Sequence, residues 1–411
     1  MQHAKPTRLS RYNTLKTSAY RAGVARGVMI KNGKESERKK ILAINFGGIG
    51  DEILFLPTLQ TIRDHAPNSS ITLLLEPRSR SVVELTGLID NVITFDIKKR
   101  PLSVGDLVDL LALIKDGGYD CVVSSGGSPM VSALLFLSGI PERVGYGSNR
   151  LAHLLLTQPV ALNKKQYAAA MYHDLALGYL KQQRLAPPVV SSNSERETYI
   201  PTVSVKADSM ERMKAFLAER GLADGKRSSE SRLILVHPGT SRLATEKGIF
   251  KTWPTDSWID LLFLIGRENE KKPQADRDIV ILAGGPDDKE IIADILTKAG
   301  DQLPHMVSAY GQTKSLADLA ALIELCDLMV CVDSAPMHVA IGLRKPLVAL
   351  FGPFNPALLV PNDPRFKTIW DSRGGTRTML DRLGVNIPPQ EVFEAVAETR
   401  SIQKRGQDST I

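Results

Sequence analysis

The sequence predicts an α/β protein with two doubly wound domains, each built on a parallel sheet, and a cleft between them. Short apolar runs alternate with helical segments, which is typical of parallel sheets covered by helices on both faces. The alternation occurs in two series, separated by the Pro- and Ser-rich stretch Ala186–Pro201. The 411 residues also exceed what one hydrophobic core normally holds.

The first series starts with an apolar run at Ile41, a glycine-rich loop and a helix that ends before Pro67. Its later strands are predicted at Ile71–Leu75, Val92–Phe95, Cys121–Ser124 and, as an edge strand, Glu142–Tyr146. Its later helices are predicted at Asp106–Lys115, Met130–Leu137 and Tyr167–Gln182.

The second series has the same alternation. Its strands are predicted at Leu233–Val236, Ile279–Leu282, Leu328–Val332 and Leu347–Phe351. Its helices are predicted at Asp208–Arg220, Asp256–Arg267, Asp288–Ala299, Ser315–Leu325 and Met337–Leu343, with one more after Pro388. The resulting organisation is a basic arm (1–39), a first domain (40–186), a linker (187–207), a second domain (208–375) and a C-terminal helix and tail (376–411).

The net charge of +7 is concentrated at the N-terminus. Residues 1–40 contain eleven Lys and Arg against two Glu, so the remaining body is close to neutral. This distribution argues against nucleic acid as a partner. The arm is consistent with contact to an anionic membrane or with a transit-like leader. The alternatives, which the thin apolar face of the arm favours, are a disordered tail and an upstream start with Met29 as the true initiator.

Cysteine usage and hydropathy favour a reducing, cytoplasmic setting. Three cysteines cannot form a disulfide framework, and no His/Cys cluster has metal-ligand spacing. No apolar run approaches the length of a membrane span, and no secretory signal is recognisable.

The stretch Cys326–Pro353 organises the second domain. Asp333, Ser334 and Ala335 follow a predicted strand and lead into a helix that contains His338. A helix N-terminus at the carboxyl end of a strand is a suitable site for a phosphate. The alternative is a capped strand–turn–helix unit, with Asp333 as the cap and His338 packed in the core.

The first glycine-rich loop holds Gly47, Gly48 and Gly50, followed by Asp51. It lacks the Gly-Lys-Ser/Thr of a P-loop and the full dinucleotide fingerprint. Asp51 is placed in the first turn of a helix, where its carboxylate could take a proton from an attacking hydroxyl. Capping of that helix is the alternative role.

Two further strand-end loops favour a diphosphate site. The loop with Thr240 and Ser241 leads to Lys251, a candidate for neutralising the charge of a departing nucleotide. The loop with Gly285 and Asp287 offers hydrogen bonds to a ribose or an amino group. A solvated lysine and a capping aspartate are the alternative interpretations.

These motifs resemble glycosyltransferase family 9, the ADP-heptose:lipopolysaccharide heptosyltransferase family. The resemblance extends from Lys40 to Pro361 and rests on GGIGDEILFLPTL, HPGTS with the later KTWP, AGGPDD and VDSAPMHVAIGLRKPLVALFGP. It implies a GT-B fold, with two facing Rossmann-like domains, the acceptor mainly on the first domain and the nucleotide sugar mainly on the second. It also implies an inverting reaction that needs neither metal nor cofactor.

The resemblance implies roles for individual residues. The catalytic aspartate falls on Asp51, and the lysine before Trp-Pro falls on Lys251. The diphosphate-binding group falls on Asp333, Ser334, Ala335 and His338, with alanine where the family usually has glycine. Asp287 is the candidate for the family's ribose-binding acidic residue.

The expected activity is transfer of a heptose from ADP-heptose to a lipopolysaccharide-type or other cell-envelope glycan acceptor. We expect it in the cytoplasm, with the arm in peripheral contact with the inner face of the membrane. Two alternatives are a non-catalytic module that binds a nucleotide sugar and another GT-B enzyme such as a sugar-nucleotide epimerase.

Overall fold

The computed structural model describes residues 38–97, 103–187, 199–222, 228–249, 251–371 and 386–408. Lys39–Ile411 form one compact unit. The expectations for the basic arm, and for most of the linker, concern residues outside these ranges. None of the described helices combines the length and apolar character of a bilayer-spanning segment.

The first sheet is parallel throughout, and its strands lie in the order β3-β2-β1-β4-β5-β6. The strands are β1 Lys40–Ile44, β2 Ser70–Leu75, β3 Asn91–Thr94, β4 Cys121–Ser124, β5 Glu142–Tyr146 and β6 Gln158–Val160. The helices are α1 Ile49–His65, α2 Val104–Asp116, α3 Pro129–Leu137, α4 Arg150–Leu155, α5 Ala168–Gln182 and a 3-10 helix, Pro77–Leu85. The prediction of β5 as an edge strand is wrong, because the three-residue strand β6 pairs with its outer side.

The second sheet is also parallel, with the order β12-β11-β10-β7-β8-β9. The strands are β7 Leu233–His237, β8 Ile279–Leu282, β9 Met306–Ser308, β10 Leu328–Val332, β11 Leu347–Phe351 and β12 Phe366–Trp370. The helices are α6 Ala207–Ala218, α7 Arg242–Glu246, α8 Thr255–Glu270, α9 Lys289–Ala299, α10 Leu316–Leu325, α11 Ala335–Gly342 and α12 Pro389–Asp408. The sequence prediction missed both edge strands, β9 and β12, which are only partly buried.

The two sheets share one topology, which confirms the predicted doubly wound fold. In each sheet the strand order reverses between the first and the fourth strand, at β1/β4 and at β7/β10. Open α/β sheets bind ligands outside the carboxyl ends of the strands at such a reversal. The predicted loops after β1, β7 and β10 therefore all lie at ligand-binding positions.

The first lobe, around β1–β6, is joined to the second lobe, around β7–β12, by direct hydrogen bonds. The Glu84 carboxylate accepts a hydrogen bond from the backbone N–H of Ala317, at the start of α10 (3.1 Å). The last part of the linker bonds to both lobes, through Ser204 N–H to Leu85 O (2.8 Å) and Val203 N–H to Gly342 O (3.2 Å). These contacts hold the carboxyl edges of the two sheets in a defined relation.

The C-terminal helix α12 packs on the second lobe and is anchored there by a buried ion cluster. Arg400 donates to both carboxylate oxygens of Asp278 (2.7 Å each), and Arg232 approaches the same group at 3.3 Å. Burial opposes ionisation of Asp278, but Arg232, Arg400 and Lys272 more than compensate, so its pKa lies below the ordinary value. The helix after Pro388 is thus part of the second lobe's core.

Replacing Asp278 with alanine should destabilise the protein by roughly 3–5 kcal/mol, because Arg232 is then left buried without its counter-ion. Denaturant unfolding followed by circular dichroism measures this loss. Glu268→Ala is the control, since Glu268 pairs with Lys271 at the surface and should contribute less than about 1 kcal/mol. Equal stability of the Asp278 variant and the wild type would contradict the assigned role of the cluster.

Candidate active site

Asp51 lies in the first turn of α1, directly after the first strand. Its Oδ2 accepts a hydrogen bond from the backbone N–H of Gly48 (2.8 Å), so the carboxylate also caps its own helix. A Cβ on Gly47 would lie 2.2 Å from Cβ of Asp51, so the loop can pass this close only with glycine there. Both interpretations of Asp51, a group at the cleft and a cap, fit its position.

Tyr172 holds the other carboxylate oxygen of Asp51. Its phenol, on α5, donates to Oδ1 at 3.3 Å. Burial, and then the charge of Asp51, raise the pKa of Tyr172 above its ordinary value, so the phenol stays protonated and remains a donor. The sequence analysis missed Tyr172, since it lies 121 positions from Asp51 and belongs to no motif.

Lys251 forms an ion pair with Asp333, which follows β10. The ammonium nitrogen lies 2.8 Å from Oδ2 of Asp333 and 4.7 Å from the centre of the Phe354 ring. The Lys251 side chain is 19% exposed, so it is not the solvated surface lysine of the alternative interpretation. Phe354, missed by the sequence analysis, adds a cation–π contact that fixes the ammonium.

The helix after β10, α11, begins at Ala335, two residues before the predicted start at Met337. Its N-cap is Ser334, not Asp333 as the capping alternative had it, and Pro336 lies in its first turn. The Ser334 hydroxyl donates to the carbonyl of Val332 (3.3 Å), and Ala335 is half-buried at the helix start. His338 is buried, and its Nδ1 has no hydrogen-bond partner among the described residues. Burial lowers the pKa of His338 to about 4, although Asp333 and Asp51 oppose this shift.

The two lobes meet at Gly50 and His338. A Cβ built on Gly50 would lie 2.8 Å from Cδ2 of His338, so only glycine permits this approach. The charges of Asp333, Asp51 and Lys251 all act on His338 and influence its pKa. The structure thus brings the candidate base of the first lobe next to the candidate cation and helix N-terminus of the second.

The loops after β7 and β8 are organised by Asp288, whose carboxylate is buried. Its Oδ2 accepts the backbone N–H of Gly285 (2.8 Å) and lies 3.7 Å from Nε2 of His237. Burial raises the pKa of Asp288 and lowers that of His237. A Cβ on Gly239 would lie 1.8 Å from Oδ1 of Asp288, which explains the glycine in the HPGTS motif.

The other candidate donor-binding residues line the same edge of the second sheet. Asp287 is exposed, and its Oδ2 accepts the backbone N–H of Arg242 (3.0 Å). Thr240 is half-buried and Ser241 exposed, both on the loop after β7. Within the described part of the chain, no three His, Cys, Asp or Glu side chains are arranged to hold a metal ion.

Comparison with known proteins confirms the resemblance seen in the sequence. The family model for glycosyltransferase family 9 (heptosyltransferase) matches residues 109–382. Lipopolysaccharide heptosyltransferase 2 of Salmonella typhimurium is 24% identical over 362 residues, covering 86% of this chain and 97% of the relative.

Two solved structures share the fold. A family 9 glycosyl transferase from Veillonella parvula superposes with a TM-score of 0.65 at 23% identity, covering 90% of this chain and 99% of that one. The ADP-heptose lps heptosyltransferase II of E. coli gives a TM-score of 0.64 at 23% identity, with coverage of 89% and 99%.

Replacing His338 with glutamine should make the free energy of unfolding fall less steeply as the pH is lowered. The folded-state pKa of about 4 lies below the ordinary value of 6.5, so the unfolded chain binds the extra proton. Stability that is fully present above pH 6.5 is therefore lost as the pH falls towards 4, by about 2–3 kcal/mol for this group.

Denaturant unfolding at several pH values, with wild type and variant side by side, measures this dependence. His173 and His237 also have lowered pKa values, so part of the loss of stability at low pH should remain in the variant. His153→Gln, on the exposed side of α4, serves as the control and should leave the pH dependence unchanged. An identical loss of stability at low pH in wild type and His338→Gln would contradict the prediction.

Proposed function

The chain belongs to glycosyltransferase family 9, and on this basis we propose that it transfers heptose from ADP-heptose to a lipopolysaccharide-type or other cell-envelope acceptor. The proposal includes inversion at the anomeric carbon and no requirement for metal. One observation supports the proposal most directly. The contact between Gly50 and His338 brings Asp51 of the first lobe close to the start of α11 on the second lobe, where Lys251 pairs with Asp333.

The names of similar proteins support the choice of donor and acceptor. The Salmonella relative is a lipopolysaccharide heptosyltransferase, and the E. coli structure is an ADP-heptose heptosyltransferase. Both match nearly their full length. The same substrates fit a site with a carboxylate on one lobe and a cation beside a helix N-terminus on the other.

The proposed reaction is a single displacement. Asp51 removes the proton from the acceptor hydroxyl, whose oxygen attacks the anomeric carbon of the heptose. The bond to the diphosphate oxygen breaks on the opposite face, and ADP leaves with the bonding electron pair. Hydrogen bonds from Gly48 and Tyr172 keep the Asp51 carboxylate oriented, so little reorganisation is needed when the acceptor binds.

The leaving diphosphate is stabilised on the second lobe. Negative charge grows on its bridging oxygen in the transition state, where the Lys251 ammonium and the N-terminal dipole of α11 are already in place. Ser334 and Ala335 lie at this N-terminus, and neutral His338 can donate a hydrogen bond. In other enzymes a bound metal ion stabilises the negative charge on a leaving diphosphate. Fixed positive charge can do the same here, so we propose that the reaction needs no metal.

The remaining donor contacts follow the second sheet's edge. We propose that Thr240, Ser241 and the backbone of Gly285, in the loops after β7 and β8, contact the diphosphate and that Asp287 binds the ribose. On the acceptor side, Gly47 permits the close approach of the loop to Asp51, and Gly48 and Gly50 belong to the same loop. We place the enzyme in the cytoplasm, at the membrane face where a lipid-linked acceptor is presented, with the basic arm as one contact.

Asp51→Ala should reduce the transfer rate by about 10²–10⁴-fold, because the acceptor hydroxyl loses its general base. ADP binding should remain close to that of the wild type, since the nucleotide lies on the other lobe. Release of ADP from ADP-heptose in the presence of acceptor measures the rate. Asp64→Ala, an exposed carboxylate on the same helix, is the control. Undiminished turnover of the Asp51 variant would refute the assignment of the base.

Lys251→Ala should lower kcat by about 10²–10³-fold, because the leaving charge loses its nearest cation. Lys247→Ala removes an exposed lysine from the same loop and should leave kcat unchanged. Thermal unfolding of each variant checks that removing the partner of Asp333 has not unfolded the lobe. A folded Lys251 variant with normal kcat would remove Lys251 from the mechanism.

A further inference from the structure

Large apolar side chains are exposed on the outer side of α3 and α4, beside the exposed Arg150 and His153 of α4. Helix α3 contains no charged residue, although several of its side chains are exposed. Five large apolar side chains are exposed on the two helices: Met130 47%, Phe136 50%, Leu137 57%, Leu151 42% and Leu154 78%. A helix that is apolar on all sides is normally buried, so this face, here called the α3–α4 surface, needs a partner.

The apolar side chains of the two helices form one continuous surface. Helices α3 and α4 pack against each other, and Arg143 joins their ends. Its guanidinium lies 5.6 Å from the centre of the Phe136 ring and donates to the carbonyl of Leu155 (2.9 Å). The same group donates to the carbonyl of Ile140, just beyond α3 (2.6 Å). Phe136 and Leu154 therefore lie at the same end of the surface.

The other end of the surface is cationic. The sequence from residue 121 to residue 166 contains one acidic residue, Glu142. Its Oε2 lies 2.7 Å from Nζ of Lys39, which neutralises it. Arg150, Lys164 and Lys165 are exposed in this region. Their segments lie together, because Leu162 and Ser148 both approach Gly127, directly before α3. In a parallel α/β fold each helix begins near the carboxyl end of the strand before it. The cationic end, at the N-termini of α3 and α4, therefore lies at the carboxyl ends of the strands of the first sheet, as Asp51 does.

We infer that the α3–α4 surface docks the protein on an anionic lipid bilayer. Leucine and phenylalanine side chains on such a surface enter the boundary between headgroups and acyl chains, and neighbouring lysines and arginines bind anionic headgroups. A second copy of this chain is the less suitable occupant, because its own α3–α4 surface carries the same cationic residues and supplies no negative charge to pair with them. The inference rests on the proposed function in one respect, that a lipid-linked acceptor makes a bilayer the relevant surface.

This arrangement gives the membrane contact a role in substrate access. The cationic end and Asp51 share one edge of the first sheet, so a protein lying on its α3–α4 surface has its acceptor side next to the headgroups. An acceptor glycan attached to a lipid could then reach Asp51 while its acyl chains stay in the bilayer. The residues of the α3–α4 surface are not those of the basic arm (1–39), whose sequence supplies cationic residues.

The test is sedimentation of the full chain with vesicles of phosphatidylcholine containing about one quarter phosphatidylglycerol. The double variant L137D/L154D should partition to the vesicles at least about tenfold less than wild type, since both side chains lose insertion and add repulsion. Leu185→Asp is the matched control, an exposed leucine beyond the end of α5, and should bind normally. Thermal unfolding without ligand verifies that all variants are folded.

A second series separates the surface from the arm and from self-association. A chain lacking residues 1–37 should still bind vesicles, and L137D/L154D should still reduce that binding. Wild-type-like binding of the double variant would overturn the inference. So would a wild-type dimer that the double variant turns into a monomer while vesicle binding is unchanged.

Activity readouts keep this inference separate from the proposed function. Transfer to a deacylated, water-soluble acceptor should be the same in wild type and in L137D/L154D, because neither leucine is near Asp51 or Lys251. If wild type binds vesicles through this surface but transfers no sugar, the proposed function fails and the docking surface stands. If transfer occurs and the double variant still binds vesicles, the docking surface fails alone.

Discussion

The approach of α1 to α11 is the constraint on which the site depends. Gly50 and His338 touch where a side chain on residue 50 would collide with the imidazole ring. This contact brings together two helix N-termini that follow the ligand-binding edges of two separate sheets. The charges of Asp51 and of the Lys251–Asp333 pair therefore act on the same imidazole, although the aspartate and the pair belong to different lobes. Without the glycine, the candidate catalytic groups would be held farther apart.

Within that constraint, buried charges keep the side chains in fixed positions. Asp333 is almost fully buried and orients the Lys251 ammonium, while Phe354 limits its movement from another side. Asp288 has a comparable role for the loops after β7 and β8, because it binds a backbone N–H of one and contacts the other. Burying these charges costs desolvation free energy, which the protein offsets with ion-pair and hydrogen-bond partners. The charges are then held in fixed positions, as a preorganised binding site requires.

Much of this architecture could be predicted from the sequence, and the omissions have physical reasons. Strands buried on both faces, such as β1, β7 and β10, are continuous apolar runs and are easily recognised. The edge strands β6, β9 and β12 are short or half-exposed and lack that pattern, so β5 was wrongly placed at the edge. Asp51, Lys251, Asp333 and His338 lie within motifs after strands. Tyr172 comes to the site only through tertiary packing, which local spacing does not encode. Phe354 directly follows the last motif, after β11, but a single phenylalanine there gave no signal of its contact with Lys251.

The central claim is that the carboxyl edge of the second sheet binds the nucleotide of an ADP-sugar. Its most direct test is to measure how far nucleoside diphosphates raise the thermal stability of the wild-type protein in the presence of a metal chelator. ADP at about a hundred times its dissociation constant should add roughly 2.7 kcal/mol to the unfolding free energy. GDP and UDP at the same concentration should add clearly less. No stabilisation by ADP, or equal stabilisation by all three nucleotides, would contradict the account.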